Sequence, residues 1–255
     1  MTIIAVFNQK GGVGKTTTTL NLAAALARRG RSAYGIDLDP QAQFCAIAGV
    51  TAQSGDETLL SLFKHDRPLR ELMRPSACGI NVIPSHIELS KVDSLYGKGY
   101  NVVNRLNAGL QTEVFGDKDH PLLLDCSPLV GVLSLNALFA CDCLIVPISA
   151  DHLSIKSSMQ VEKTLKALEQ VLKRRVKRRY LLTRFDSRRR MAREVLQLAE
   201  ERFGDEVCRT LIAENVSLAE SPAINKTIFE HAPASRGARD YEALLEELLS
   251  DGFIE

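Results

Sequence analysis

The feature of this chain that most restricts its fold is the stretch Asn8-Gln9-Lys10-Gly11-Gly12-Val13-Gly14-Lys15-Thr16-Thr17. It sits between an apolar run at Ile3–Phe7 and an Ala- and Leu-rich segment from Lys15 to Arg29. A strand that runs through a glycine loop into a helix N-terminus forms an anion cradle. Glycines let backbone N–H groups converge on phosphate oxygens, and the helix dipole favours negative charge there. In such a loop Lys15 bridges the β- and γ-phosphates of a nucleotide, and the Thr16 hydroxyl ligates magnesium. The pattern GxxxxGK[ST] is met except at its first position, where Gln9 stands in place of glycine. Coincidence is a poor explanation. A lone GxGxxG arises in roughly one chain in ten of this length, but KGGxGK[ST] in well under about one in a thousand.

The rest of the chain repeats the same alternation. Apolar runs at Ala33–Leu38, Ile80–Ile83, Leu122–Asp125, Leu144–Pro147, Arg179–Thr183 and Val207–Leu211 read as buried strands. Helical patterns at Leu153–Lys173 and Arg188–Phe203 fall between them. This predicts one α/β domain over residues 1–255, doubly wound, with a mostly parallel sheet and helices on both faces. The region Thr51–Asp119, broken by Gly55, Pro68, Pro75, Gly97 and Gly99, is the least regular and is expected to hold an insertion or a partner surface. The apolar stretch Pro121–Ala150 is cut by Asp125, Pro128 and Asp142, too often for a membrane span of about 20 residues. The amphipathic stretch Asp240–Leu249 carries acids opposite its apolar stripe, so it is expected to pack on the body and not on anionic lipid.

Two carboxylates are placed to serve the phosphate loop. Asp37 and Asp125 each close an apolar run, which puts them at the C-terminal edge of a parallel sheet, where ligands bind. Taken singly, either is also readable as a helix cap. Taken together, the motifs resemble the ParA/MinD family of deviant P-loop ATPases. That family's loop reads KGGVGKT, its second strand ends in DxDPQ, here Asp37-Leu38-Asp39-Pro40-Gln41, and its Walker B strand is similar to Leu122-Leu123-Leu124-Asp125-Cys126. The family usually follows Asp-Cys with two prolines, whereas Ser127 takes the first place here.

The resemblance implies ATP and Mg²⁺ as cofactors and assigns roles residue by residue. Gly11, Gly12, Val13, Gly14, Lys15, Thr16 and Thr17, with Asp37, Asp125 and Arg184, are expected at the nucleotide. Thr16, Asp39 and Asp125 are expected at the metal. Lys15, Lys10 and Asp39 are expected to be catalytic, Lys10 by reaching the phosphates of a facing subunit in a nucleotide-sandwich homodimer, Asp39 by orienting water.

Charge makes a further suggestion. The chain is nearly neutral, with 32 Lys plus Arg against 31 Asp plus Glu, which argues against a globally basic DNA-coating protein. Yet Lys173–Arg193 concentrates eleven cations around the single acid Asp186. Its first half, Lys173–Arg179, reads as a solvated helix C-terminus, where cations are favourable. Its second half resembles the family segment in which an arginine matching Arg188 binds DNA without sequence preference, and Arg189, Arg190 and Arg193 extend that surface, with Lys226 also keeping the pattern. Four phosphate contacts imply a log–log salt slope of about −3.6. Two departures bear on this: Ser217 occupies the place of another DNA-contacting arginine, and Ala213-Glu214 stands where Pro-Arg is common.

The resemblance therefore implies a cytoplasmic, nucleoid-associated ATPase that segregates or positions a cargo and is stimulated by a ParB-like or cargo-adaptor protein, with no membrane partner. Two alternatives stand beside it: a MinD-like membrane or division-site regulator, and a nucleotide-driven metallocluster carrier. The second would need Cys126 with Cys141 or Cys143. The six cysteines, scattered through apolar stretches without a CxxC pair, read instead as buried reduced thiols.

Overall fold

In the computed structural model, which describes residues 1–97, 99–112 and 120–254, seven strands form one sheet. They are β1 Ile3–Val6, β2 Ala33–Asp37, β3 Arg74–Pro75, β4 Ile80–Ile83, β5 Leu122–Asp125, β6 Cys143–Ser149 and β7 Lys177–Thr183. Their spatial order is β3-β4-β2-β5-β1-β6-β7. All pairs are parallel except β3 with β4. Register aligns Val6 and Asp37 with Asp125, so the ends of β1, β2 and β5 come out level at the centre of one sheet edge.

Successive side chains of a strand point to opposite faces, and here both faces are covered. Ala5, Phe7, Leu122 and Leu124 pack into one apolar layer, while Ile4, Val6 and Leu123 pack into the other. That is why these strands read as unbroken apolar runs and not as alternating ones. The second layer is built on the helices Lys15–Arg28 and Arg236–Ser250; the C-terminal helix buries Tyr241, Leu244, Leu245 and Leu248 and pairs its outer Glu242 and Glu246 with Arg28 and Arg29.

The structure departs from the sequence reading at three places. Val207–Leu211 is not a strand: it makes one parallel bridge, Val207 to Tyr180, and then leaves the ladder. The cause is Glu247, whose carboxylate accepts the amides of Arg209 and Thr210 at 2.7 Å each, so the segment is held by a helix side chain where a strand partner would be. The short antiparallel β3 is unforeseen. Finally, the helix expected from Arg188 begins at Arg190, because the Arg188 and Arg189 amides turn back onto Asp186. The irregular region folds as short helices, among them Leu60–His65, Tyr100–Val103 and Arg105–Thr112. Leu60, Phe63, Leu106 and Leu110 share the first apolar layer with Val132 and Phe139, which makes this stretch part of the sheet's cover. Its end, residues 113–119, lies outside the described residues.

Candidate nucleotide and magnesium site

Gly14 carries the chain from β1 into the helix Lys15–Arg28 with φ 88°, and Gly12 has φ 74°. Both values lie in the left-handed region that a side chain disfavours, which accounts for glycine at these two places. The turn is tied down from β7, where the Thr183 hydroxyl donates to the Val13 carbonyl at 2.9 Å. Gly14 is the N-cap and supplies no side chain to the first helical amides, so they stay open to an anion.

Lys15 folds back over the loop and donates from Nζ to the Lys10 carbonyl at 3.0 Å. It is buried, and desolvation lowers its pKa, an effect opposed by Asp125, Cys126 and Asp39 nearby. Thr16 donates from Oγ1 to Asp125 Oδ2 at 2.8 Å, and Thr19 donates to the other oxygen at 3.2 Å. Asp125 is fully buried, and burial pushes its pKa well above the ordinary carboxylate range, with the neighbouring Asp37 charge adding to the effect. Asp37, also fully buried, is raised to about 7 by desolvation, against the hydrogen bonds it receives from Cys45 and Asp39.

The structure separates the roles of the two aspartates in the second-strand motif. Both oxygens of Asp37 accept amides, from Asp39 and Cys45 at 3.0 Å each, so Asp37 shapes the turn that carries Asp39. Asp39 is half-buried and faces a cavity of about 480 Å³. That cavity is lined by the glycine loop and helix start, Gly11, Gly12, Gly14 and Lys15–Thr17, together with Arg184, Glu214 and Tyr241. Asp125 sits beneath Thr16, and Val13 is buried under the loop. Arg184 joins the wall through a left-handed backbone, φ 54°.

Lys10 is turned away from this cavity. Its Nζ donates to both oxygens of Asp151, at 2.6 and 2.7 Å, and to Ser154 Oγ at 2.9 Å. Burial works against ionisation of Asp151, yet the hydrogen bonds from Lys10, Ser149 and Ser154 hold its carboxyl below the usual range. Asp151 also caps the helix His152–Leu172 by accepting the Ser154 amide. Sequence reasoning missed it as a partner of the loop; its only signal was that of an N-cap.

The residues present fit a magnesium–triphosphate group. Thr16 and Asp125 offer hard oxygens, and a divalent cation beside them offsets the buried negative charge that otherwise favours protonation. Among the described residues no set of three or more His, Cys, Asp or Glu forms a metal cage of its own, so such an ion would share its ligands with phosphate. Cys126, Cys141 and Cys143 are buried and donate to the Leu124, Leu138 and Phe253 carbonyls, and desolvation pushes the pKa values of Cys126 and Cys141 up, that of Cys141 to about 12.

The basic cluster divides in two. In the first half, Arg178 is not solvated; it is buried against Glu169 and Glu206, and Arg174 donates to the Cys141 carbonyl. In the second half, Arg188, Arg189, Arg190 and Arg193 are exposed around the start of the helix Arg190–Phe203. Arg188 binds Asp186 through two hydrogen bonds of 2.9 Å and holds its carboxyl down to about 2. Arg190 pairs with Glu194, and Arg193 donates to the Ser187 carbonyl. Lys226 is exposed in a different turn, after Asn225.

Residues 1–178 match the family model described as an AAA domain. The chromosome-partitioning ATPase Soj of Thermus thermophilus is 36% identical over 249 residues, 97% of this chain and 95% of that protein. The chain belongs to the ParA/MinD family of P-loop ATPases. Another ParA-family relative, the chromosome partitioning protein ParA of Myxococcus xanthus, is 33% identical over 97% of this chain and 87% of its own length. Among solved structures, cobyrinic acid a,c-diamide synthase from Mycobacterium smegmatis, with ADP and magnesium bound, superposes with a TM-score of 0.82 at 27% identity, covering 99% of this chain and 96% of that one. Among the described residues, no helix of this ParA-family chain is long and apolar enough to cross a membrane.

Proposed function

We propose that this chain, as one domain over residues 1–255, is a ParA-like ATPase that closes into an ATP-sandwich homodimer and binds DNA without sequence preference. In this reading it acts in the cytoplasm on the nucleoid and segregates or positions a plasmid, a chromosome origin or a protein assembly. A ParB-like or cargo-adaptor partner stimulates hydrolysis and so releases it. The observation that carries the reading is the meeting of Lys15, Thr16 and Asp125 beneath a left-handed glycine loop at the C-terminal edge of the sheet. The relatives are chromosome-partitioning proteins, which supports the cellular role.

Magnesium, when bound, supplies positive charge to the β- and γ-phosphate oxygens. The chain's own residues do the rest. Open amides after Gly14 and the Lys15 ammonium hold the phosphates; Thr16, Asp39 and Asp125 would hold the ion. Asp39 accepts from a water and orients it toward the γ-phosphorus. Lys10 moves from Asp151 to the phosphates of the facing subunit, which adds positive charge where negative charge builds up.

The arginines Arg188, Arg189, Arg190 and Arg193, with Lys226, form the DNA surface. A membrane-directed reading is disfavoured by the helix Arg236–Ser250, whose apolar side is buried in the core and whose outer Glu242 and Glu246 pair with Arg28 and Arg29. An electrophoretic shift on arbitrary duplex tests the proposal with ATP, ADP and no nucleotide. Binding should require ATP and be weakened at least tenfold by Arg188→Glu. Binding that ignores nucleotide state would overturn the switch.

A further inference from the structure

Glu214 stands where the family pattern has an arginine, and its position gives the exchange a consequence. Its carboxylate lies 3.5 Å from the Arg184 guanidinium through one oxygen and 3.0 Å from that of Arg189 through the other. Arg189 is also 3.5 Å from Asp186, which in turn binds Arg188. Two acids thus engage three arginines, two of which, Arg188 and Arg189, belong to the surface proposed for DNA. Glu214 and Arg184 additionally line the nucleotide cavity, whereas Arg189 does not. The Glu214 backbone is anchored, with its amide donating to the Phe185 carbonyl at 3.1 Å, so the carboxylate is presented from a fixed point between cavity and surface.

We infer that Glu214 is a positioning residue that joins the two sites: it neutralises Arg184 and Arg189 when the cavity is empty and yields Arg189 to DNA phosphate when nucleotide occupies the wall it shares with Arg184. The inference rests on the DNA-binding reading above. The physics is repulsion: an anionic nucleotide in the cavity that Glu214 lines acts against the carboxylate's own charge and weakens its hold on both arginines, Arg189 included. These pairs are exposed, with side-chain accessibilities of 62% and 65% for the arginines and 35% for Glu214. An exposed pair is weak enough to exchange, and screening by salt weakens it further. DNA phosphates compete for the same guanidinium groups, and every phosphate that a guanidinium neutralises releases counterions. An arginine at position 214 would add to the surface; the glutamate subtracts from it and ties the subtraction to the nucleotide wall.

Glu214→Gln keeps shape and removes the charge. Binding to arbitrary duplex should be measured by fluorescence anisotropy across a salt series, without nucleotide and with a non-hydrolysable ATP analogue, for wild type, Glu214→Gln, Arg189→Gln and the double variant. Glu214→Gln should raise nucleotide-free affinity by roughly two- to fivefold per arginine released. It should also steepen the log–log salt slope by about 0.9 for each additional phosphate neutralised, and so shrink the ratio between nucleotide-bound and nucleotide-free affinity. Adding Arg189→Gln should cancel most of the gain, which a general loss of negative charge would not do. If wild type binds DNA only with nucleotide and Glu214→Gln matches it in both states, the inference fails and the DNA reading stands. If neither protein binds DNA in any state, both fall together.

Discussion

Lys10 has to put its charge somewhere, and in this chain it puts it on Asp151, 141 residues away in sequence. The pair is partly exposed, with side-chain accessibilities of 29% and 36%, so its contribution is modest. The sign of its pH dependence is nonetheless definite. The folded-state carboxyl of Asp151 is held below its ordinary value, so the stability it adds is present above the usual carboxylate range and is lost as pH falls through the folded value. Asp151→Asn should therefore cost on the order of 1 kcal/mol in urea denaturation at neutral pH, with the gap from wild type closing below about pH 4. A gap indifferent to pH would mean that the ionised pair is not its source. At this scale the P-loop residues and Asp125 were legible, because their chemistry is written in consecutive positions. Asp151 was not, because an N-cap aspartate looks the same whether or not a distant lysine arrives on it.

At the scale of elements, the segment after Cys208 shows how a side chain overrides a propensity. Val207–Leu211 has the composition of a strand, and Cys208 and Ile212 do donate to the Tyr180 and Leu182 carbonyls of β7. Between them Glu247, itself buried, takes the Arg209 and Thr210 amides. Glu247→Ala would leave two partly buried N–H groups without their acceptor and should lower the unfolding free energy by about 2–4 kcal/mol, read from the urea midpoint. Glu247→Gln, which keeps one oxygen acceptor, should recover part of that loss. Equal midpoints for Glu247→Ala and wild type would show that the segment holds its path by other means. Periodicity sees only neighbours along the chain, so a carboxylate from a later helix is invisible to it. The same limit explains β3, whose Arg74 and Pro75 pair with β4 residues without any strand-like run of their own.

For the molecule as a whole the decisive quantity is its mass in each nucleotide state. Asp39 is the residue proposed to orient water, so Asp39→Ala should bind ATP yet turn it over slowly. Sedimentation should then show a doubled mass that persists for Asp39→Ala with ATP and decays for wild type as ADP forms. Molecules that remain solitary at saturating non-hydrolysable nucleotide would sink the sandwich. By itself the sequence determined the doubly wound sheet and the glycine loop that ends at its central edge, because buried strands, a left-handed glycine loop and sheet-edge carboxylates are local demands that particular residues satisfy in order. Only the tertiary structure decided where the long side chains go: Lys10 onto Asp151, Arg178 into a buried pair with Glu169, Glu214 between the cavity and Arg189. Those choices turn on distance and dielectric between groups far apart in the chain, and neither is defined until the backbone has folded.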